Sequence, residues 1–505
     1  MTKRGKYFGA MSFGLVAFLA AVWPVQAQSD IEEQIKALEA EVQKIEPLKD
    51  QIERLRYQQL EMKKEATSAA AAMPTFTYRP ASGLTIAAAD KSWSWNNSFR
   101  MDLNNYNTID GKPNYRSGAT QVNTGAEDLK LVTRRARWYH TYCWQDCFYQ
   151  FNFTMDGEGD GGAAEFRDNE FMVMFNQLNP WLPYFSIGPR RGAGETHIGR
   201  SSSSDGKMEH GMVLSGFGWG GAGSHSGMGL GWEDVDIGPG EYRLYLNWAT
   251  NQQGVWDEFN TSDRSGLMMS IGAKPFSKTK NKWISGLDIG LGYQGQSMDR
   301  NNNGNPNQAR PRIRNDMNRK NRQDFWRVPS SEVGKGWGDV FLPAVKWQVG
   351  PYFVRYVYEI ARYDSAESGN RASGVGGTGW TLDHQLNLWS PKGWFTGAPR
   401  SANSIVVGAG IERADVNCGK NCDASPGTGS FHRNHITTVY VSTWYWVDRG
   451  VGVGMWWNHF ISTNTPEQAQ IATGCKSNVT AVQSGKGVSR TCSFDDVNAG
   501  LRYRW

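Results

Sequence analysis

Beyond its first thirty residues the sequence has no stretch approaching about 18 uncharged apolar residues, so the body of the chain holds no transmembrane helix. It also lacks G-x-S-x-G, H-E-x-x-H and the phosphate-binding G-x-x-x-x-G-K-[ST]. Hydrolase, metalloprotease and nucleotide-hydrolysing chemistry therefore have no sequence basis, and no catalytic residue is assigned. No C-x-x-C-H is present, which removes covalent c-type haem, and no other cofactor is implied. Net charge is scarce too: with Lys3, Arg4 and Lys6 set aside as part of a leader, 51 Lys+Arg face 49 Asp+Glu. So even a balance gives no reason to expect a nucleic-acid partner.

What is present begins with export. Lys3, Arg4 and Lys6 precede an apolar run from Phe8 to Val22, and Val25-Gln26-Ala27 offers small residues for cleavage, so residues 1–27 read as a signal peptide. The whole chain is rich in Gly (58), Trp (22), Tyr (19) and Phe (22), yet its mean hydropathy is −0.57. A membrane barrel needs that combination, because alternate residues face lipid and water while aromatics collect at the two interfaces.

From Ile31 to Lys64 apolar residues recur at steps of four and three (Ile31, Ile35, Leu38, Val42, Ile45, Leu48, Ile52, Leu55), with a local break beside Pro47. Residues 28–66 are therefore expected to form a short periplasmic α-helical coiled coil, most simply a trimer, with an isolated amphipathic helix as the alternative. An Ala-rich stretch and Pro74 open an expected linker over 67–92.

At Trp93 the period changes to two. Trp95, Phe99, Met101 and Leu103 alternate with Arg100, Asp102 and Asn104; the same dyad recurs at 149–156, 241–248, 287–294 and 354–360. Residues 93–505 are long enough for about 16 antiparallel strands in an all-β transmembrane barrel. The last segment alternates Val497, Ala499, Leu501, Tyr503 and Trp505 with polar residues and stops on an aromatic. It resembles the terminal strand that bacterial outer-membrane proteins present to their assembly machinery. The turns at 144–146 and 448–450 are short, whereas 301–335, 364–378 and 462–492 are long and polar, as periplasmic turns and extracellular loops are.

Six cysteines fall in close couples, Cys143 with Cys147, Cys418 with Cys422, and Cys475 with Cys492, which favours loop-stapling disulfides. A zinc site using Cys418, Cys422, His432 and His435 is the weaker alternative, and no metal is assigned. Among basic residues, Arg100, Arg135, Arg137, Arg243 and Arg355 fall on polar strand faces and are expected to line the lumen, where Arg favours small anions. Pairing with wall carboxylates such as Glu241, Asp288 and Glu359 is the alternative. Arg134 falls on the lipid side in this register, so it must snorkel or a bulge must intervene. A further basic cluster over 310–327 sits in a long loop and suits either anion funnelling or contact with lipopolysaccharide.

Leu131-Val-Thr-Arg-Arg-Ala-Arg-Trp138 with Phe148-Tyr-Gln-Phe-Asn-Phe153, Phe185-Ser-Ile-Gly188 with Ser201–Ser204 and Met208-Glu209, Gly379-Trp380 through Trp394-Phe-Thr-Gly397, and Gly500-Leu-Arg-Tyr-Arg-Trp505 together resemble the phosphate-selective porin O and P family. The resemblance implies a 16-stranded, usually trimeric barrel in the outer membrane that passes anions, with Arg190 and Arg191 near its constriction. The Gly-rich 216–232 region and the cysteines depart from that pattern. The reading is thus an outer-membrane porin, in contact with lipid and lipopolysaccharide, for small hydrophilic solutes and small anions. Its rival is a poorly conducting adhesive or structural barrel tethered by its coiled coil.

Overall fold

The computed structural model describes residues 26–108, 114–117, 120–123, 130–157, 165–191, 224–251, 266–297, 312–314, 324–327, 333–365, 375–390, 402–418, 434–462 and 492–505. The expected signal peptide thus lies almost wholly outside them, as do most of the expected long loops. The chain separates into two units, residues 1–73 and 74–505.

The first unit is one helix, α1 (Gln26–Ala72), 47 residues long. It outruns the segment expected from the apolar repeat at both ends. Alanine is the strongest helix former, so Ala69–Ala72 continue the helix where a linker is expected. Pro47 lies inside it and removes one backbone hydrogen bond. Ile35, Leu38, Ile52 and Leu55 are 49–61% exposed, so the repeat that marks a seam faces outward in the single chain.

The second unit opens with β1 (Thr75–Arg79) and β2 (Gly83–Ala87), a hairpin inside the stretch expected to be a linker. Gly83, at φ 84°, turns the chain where a Cβ would strike the Asn97 carbonyl. The strands that follow are β3 (Trp93–Thr108), β4 (Asn114–Ser117), β5 (Thr120–Asn123), β6 (Lys130–Trp144), β7 (Tyr149–Asp156), β8 (Glu165–Val173), β9 (Tyr184–Arg191), β10 (Ser224–Ile237) and β11 (Gly240–Asn251). Then come β12 (Gly266–Lys274), β13 (Leu287–Ser297), β14 (Arg312–Arg314), β15 (Asp324–Arg327), β16 (Val333–Val349), β17 (Tyr352–Ser365), β18 (Val375–Trp389), β19 (Ser404–Cys418), β20 (Asn434–Trp446), β21 (Val451–Ser462) and β22 (Cys492–Arg504). Two short pairs, β4–β5 and β14–β15, stand apart from the main sheet.

Sixteen of these strands pair antiparallel with their chain neighbours, and β22 pairs back onto β3, closing the ring. Closure leaves no unpaired edge, the only way a sheet satisfies its backbone inside a bilayer. β22 reaches β3 only as far as Phe99, whose N–H and carbonyl bond Trp505 at 3.1 and 2.9 Å. β2 takes the same edge of β3 below that point, pairing Leu84–Ala87 with Ser94–Asn97.

The expected alternation holds around the ring. In β12 Met268 and Ser270 are buried, whereas Leu267 and Ile271 are exposed; in β17 Arg355, Val357, Glu359 and Ala361 are buried while Tyr356 is exposed. The exposed set is apolar (Ile187, Leu230, Ile289, Val345, Val441, Met455), which is a hydrocarbon-facing belt. Trp93, Trp144, Trp181, Trp283 and Trp389 are exposed where strands meet the short connections, forming the girdle expected at one interface.

Register resolves Arg134. Asp102 lies opposite Arg135 and Leu103 opposite Thr133, so Arg134 is the extra residue of a β-bulge. The bulge also places Thr133 on the outer side with Leu103 rather than on the inner side with Arg135.

Candidate functional site

A closed barrel with an apolar exterior places any function of this unit on its inner wall, and the predicted arginines are there. Arg100, Arg135, Arg137 and Arg355 are 2–9% exposed, and Arg243 is partly buried. None of them is a bare cation. Arg100 pairs with Asp102, two residues on and therefore on the same face, through Nε at 3.1 Å and again through Nη2. Arg135 Nη1 donates to the same carboxylate at 3.1 Å across the β3–β6 ladder. Arg137 Nε donates to Asp156 at 2.8 Å from β6 to β7.

On the opposite part of the ring Arg355 grips Asp383 Oδ2 through Nε and Nη2 at 3.1 and 2.6 Å, and Tyr440 donates its hydroxyl to Oδ1 at 2.8 Å. Arg243 pairs with Asp288, whose other oxygen lies 3.1 Å from Lys346 Nζ. Opposite-charge pairs at cross-strand spacing satisfy both groups where burial makes each expensive alone. The buried charged residues among those described are five arginines and nine Asp or Glu. The alternative of wall pairing therefore describes these arginines better than a free basic ring.

Arg190 and Arg191 end β9 opposite His225 and Ser224; their side chains lie outside the described residues, as do all of those in the 310–327 cluster. Cys143 and Cys147 form a disulfide across the β6–β7 turn. Gln145, Asp146 and Cys147 there hold φ of 51, 54 and 66°, and Gln145 and Asp146 donate their N–H groups to Ser92 and Lys91 at 2.7 and 3.1 Å. The stapled turn thus fixes the neighbouring connection between β2 and β3. Cys422 and Cys475, and the side chains of Cys418 and Cys492, lie outside the described residues. His432, of the alternative zinc set, lies outside as well, and His435 hydrogen-bonds Asp415 on the outer face.

One inner feature was not anticipated. Trp444 and Trp446 of β20 and Trp456 of β21 are 2–4% exposed and point inward, stacked at 5.7 and 6.1 Å, with the Arg502 guanidinium 4.4 Å over Trp444. Tyr184 and Tyr440 lie likewise on Gly231 and Gly410, whose missing Cβ atoms make room for the rings. Paired glycines at 452 and 454 are the sequence signal for such a floor.

Ring closure, the apolar belt and the aromatic girdle define the class: this is a bacterial outer-membrane β-barrel protein. No protein-family model matches the chain, and no curated protein matches it in sequence. Among solved structures it is similar to the trimer form of OmpT, an outer membrane protein of Vibrio cholerae, at 11% identity and TM-score 0.48 over 82% of this chain and 100% of that one. It is also similar to an anion-selective porin from Comamonas acidovorans, at 10% identity and TM-score 0.47 over 82% and 100%. The outer membrane channel DcaP of Acinetobacter baumannii is similar at 8% identity and TM-score 0.43 over 82% and 98%.

Proposed function

We propose that this protein is a passive porin for small hydrophilic solutes. The observation that carries the reading is a closed ring with an apolar exterior and a polar inner wall. Asn247, Thr381, Asn458 and Asn498 point inward at 0–2% exposure, and their side-chain oxygens have no protein partner. An unsatisfied buried polar group costs about 1–3 kcal/mol, so a wall carrying several of them is suited to polar rather than apolar contents.

Charge selection is the finer question. Anion preference, with phosphate as cargo, draws support from the arginines on the inner wall, but each of Arg100, Arg135, Arg137, Arg243 and Arg355 sits on an aspartate. Paired charges project a weak field, so we infer modest selectivity for small anions rather than a phosphate-specific site. The reversal potential across a tenfold KCl gradient tests this. A value near zero supports it, and a strongly ion-selective potential of either sign opposes it.

We further propose a homotrimer whose α1 seams pack together, because the exposed Ile35, Leu38, Ile52 and Leu55 otherwise face water. Lipid and lipopolysaccharide cover the remaining outer face in this reading. Burial favours the second reading, a structural barrel with little conductance: Asp102, Asn104, Glu359, Glu412 and Asp496 are 0% exposed, as in a filled interior.

A further inference from the structure

The connection from β12 to β13 runs from Pro275 to Gly286, whereas the nearby turns at 238–239 and 350–351 take only two residues each. Its length does not leave it loose. Lys278 donates its N–H to the Pro239 carbonyl at 3.1 Å, and Thr279 donates its N–H and hydroxyl to the Phe276 carbonyl at 3.0 and 2.9 Å. Asn281 Oδ1 takes the Trp283 N–H at 3.0 Å, and the Asn281 carbonyl takes that of Ser285 at 3.0 Å. The Trp347 indole donates to the Trp283 carbonyl at 2.6 Å, and Gly286 closes on Gln348, whose carbonyl a Cβ would strike.

This ordered connection presents one sign of charge. It holds Lys278, Lys280 and Lys282 and no Asp or Glu. Lys278 pairs with Asp236 at 2.7 Å, and Lys274, at the end of β12, pairs with Glu241 at 3.1 Å. Lys280 and Lys282 are exposed and pair with no carboxylate among the described residues. The other described connections at this end of the barrel carry no such surplus. Lys91 sits beside Asp90 and Arg449 beside Asp448, residues 145–148 hold only Asp146, and 174–183, 238–239 and 350–351 hold no charge.

Trp283, next to Lys282, is 66% exposed, and Ile284 is also exposed. They lie at the foot of the apolar belt formed on β12 and β13 by Ile271, Ile289 and Leu291, and Trp283 belongs to the aromatic girdle. The two unpaired ammonium groups therefore stand at the depth of the lipid headgroups. An indole and a branched alkyl side chain settle there against glycerol and the upper acyl chain, while an ammonium meets phosphate. A zwitterionic headgroup carries its own cation beside that phosphate; an anionic headgroup leaves it uncompensated.

We propose that the β12–β13 connection is a binding site for an anionic phospholipid of the adjoining leaflet. Lys280 and Lys282 hold the headgroup phosphate, and Trp283 and Ile284 hold the glycerol and upper acyl chain. The site adds a lipid partner to the barrel and stands whether or not the barrel conducts.

The test extracts the full-length protein from vesicles of equal phosphatidylcholine and phosphatidylglycerol and counts the retained lipids by native mass spectrometry. Wild type is expected to retain phosphatidylglycerol over phosphatidylcholine about fivefold, and Lys280→Gln/Lys282→Gln to bring the ratio near unity. Lys91→Gln/Arg449→Gln removes as much charge from the same rim and is expected to leave the ratio unchanged. Equal retention of the two lipids by wild type overturns the site, and so does a preference that Lys280→Gln/Lys282→Gln keeps. A preference that both double variants lose alike is rim charge alone and also overturns it. Wild type gives a reading that needs no variant: concentrated KCl before extraction should lower the ratio, and a ratio indifferent to salt overturns the phosphate contact. Binding of isolated peptidoglycan that depends on Lys280 and Lys282, without a lipid preference, assigns these lysines to the cell wall and overturns the site.

Discussion

Asp383 concentrates the logic of the inner wall in one side chain: one oxygen takes both Arg355 contacts and the other takes the Tyr440 hydroxyl. Removing the guanidinium strands a carboxylate that is 1% exposed. Arg355→Ala is therefore expected to cost about 3 kcal/mol in guanidinium unfolding from lipid vesicles, with the Arg355→Ala/Asp383→Ala double variant recovering part of it. Additive losses would show that the pair contributes nothing as a pair. At Gly231 the reasoning is steric, since a Cβ there would sit 2.1–2.4 Å from the Tyr184 ring. Gly231→Ala should lose about 1–3 kcal/mol in the same assay, and adding Tyr184→Leu should restore some of the loss; no restoration contradicts the packing argument. The arginines were legible in the sequence because each alternates with apolar neighbours and lipid excludes it. Their partners were legible only as an alternative, because strand registry is not written in composition. Trp444 and Trp446 were not legible: in Val439 to Val447 both faces carry apolar or aromatic residues, so period two does not say which side meets lipid.

Among the elements, β6 shows how an anomaly in a pattern can be informative. Arg134 broke the alternation, and the structure answers with a bulge between the pairs Asp102–Arg135 and Leu103–Thr133. Deleting Arg134 leaves both pairs adjacent, whereas deleting Ser270 from the unbroken β12 ladder turns every residue on one side of it to the wrong face. The first deletion should still give heat-modifiable, folded barrel on gel electrophoresis, and the second should not; equal failure of both contradicts the register. The hairpin of β1 and β2 escaped the sequence because each strand has only five residues, too few for alternation to stand out from a linker. For α1, the exposed repeat predicts self-association. Leu38→Cys should form an interchain disulfide on mild oxidation and Glu39→Cys, off the seam, should not; equal cross-linking of the two contradicts a coiled coil.

At the scale of the whole molecule, sixteen strands close through β22 and β3, and β2 extends β22's place along the same edge. The barrel was the most legible feature of the sequence, because a period of two repeated over some four hundred residues leaves few other folds. The character of the interior was the least legible, since it depends on which inward groups satisfy one another across strands. Ion pairs neutralise part of that wall, and Asn458 and Asn498 line another part with neutral amides that have no protein partner. The central claim is thus that the closed ring encloses a continuous aqueous path. Single-channel recording of the purified protein in planar bilayers, in symmetric KCl, tests it most directly. Discrete, ohmic current steps are the predicted result, and silent bilayers from protein that is demonstrably folded and inserted would contradict it.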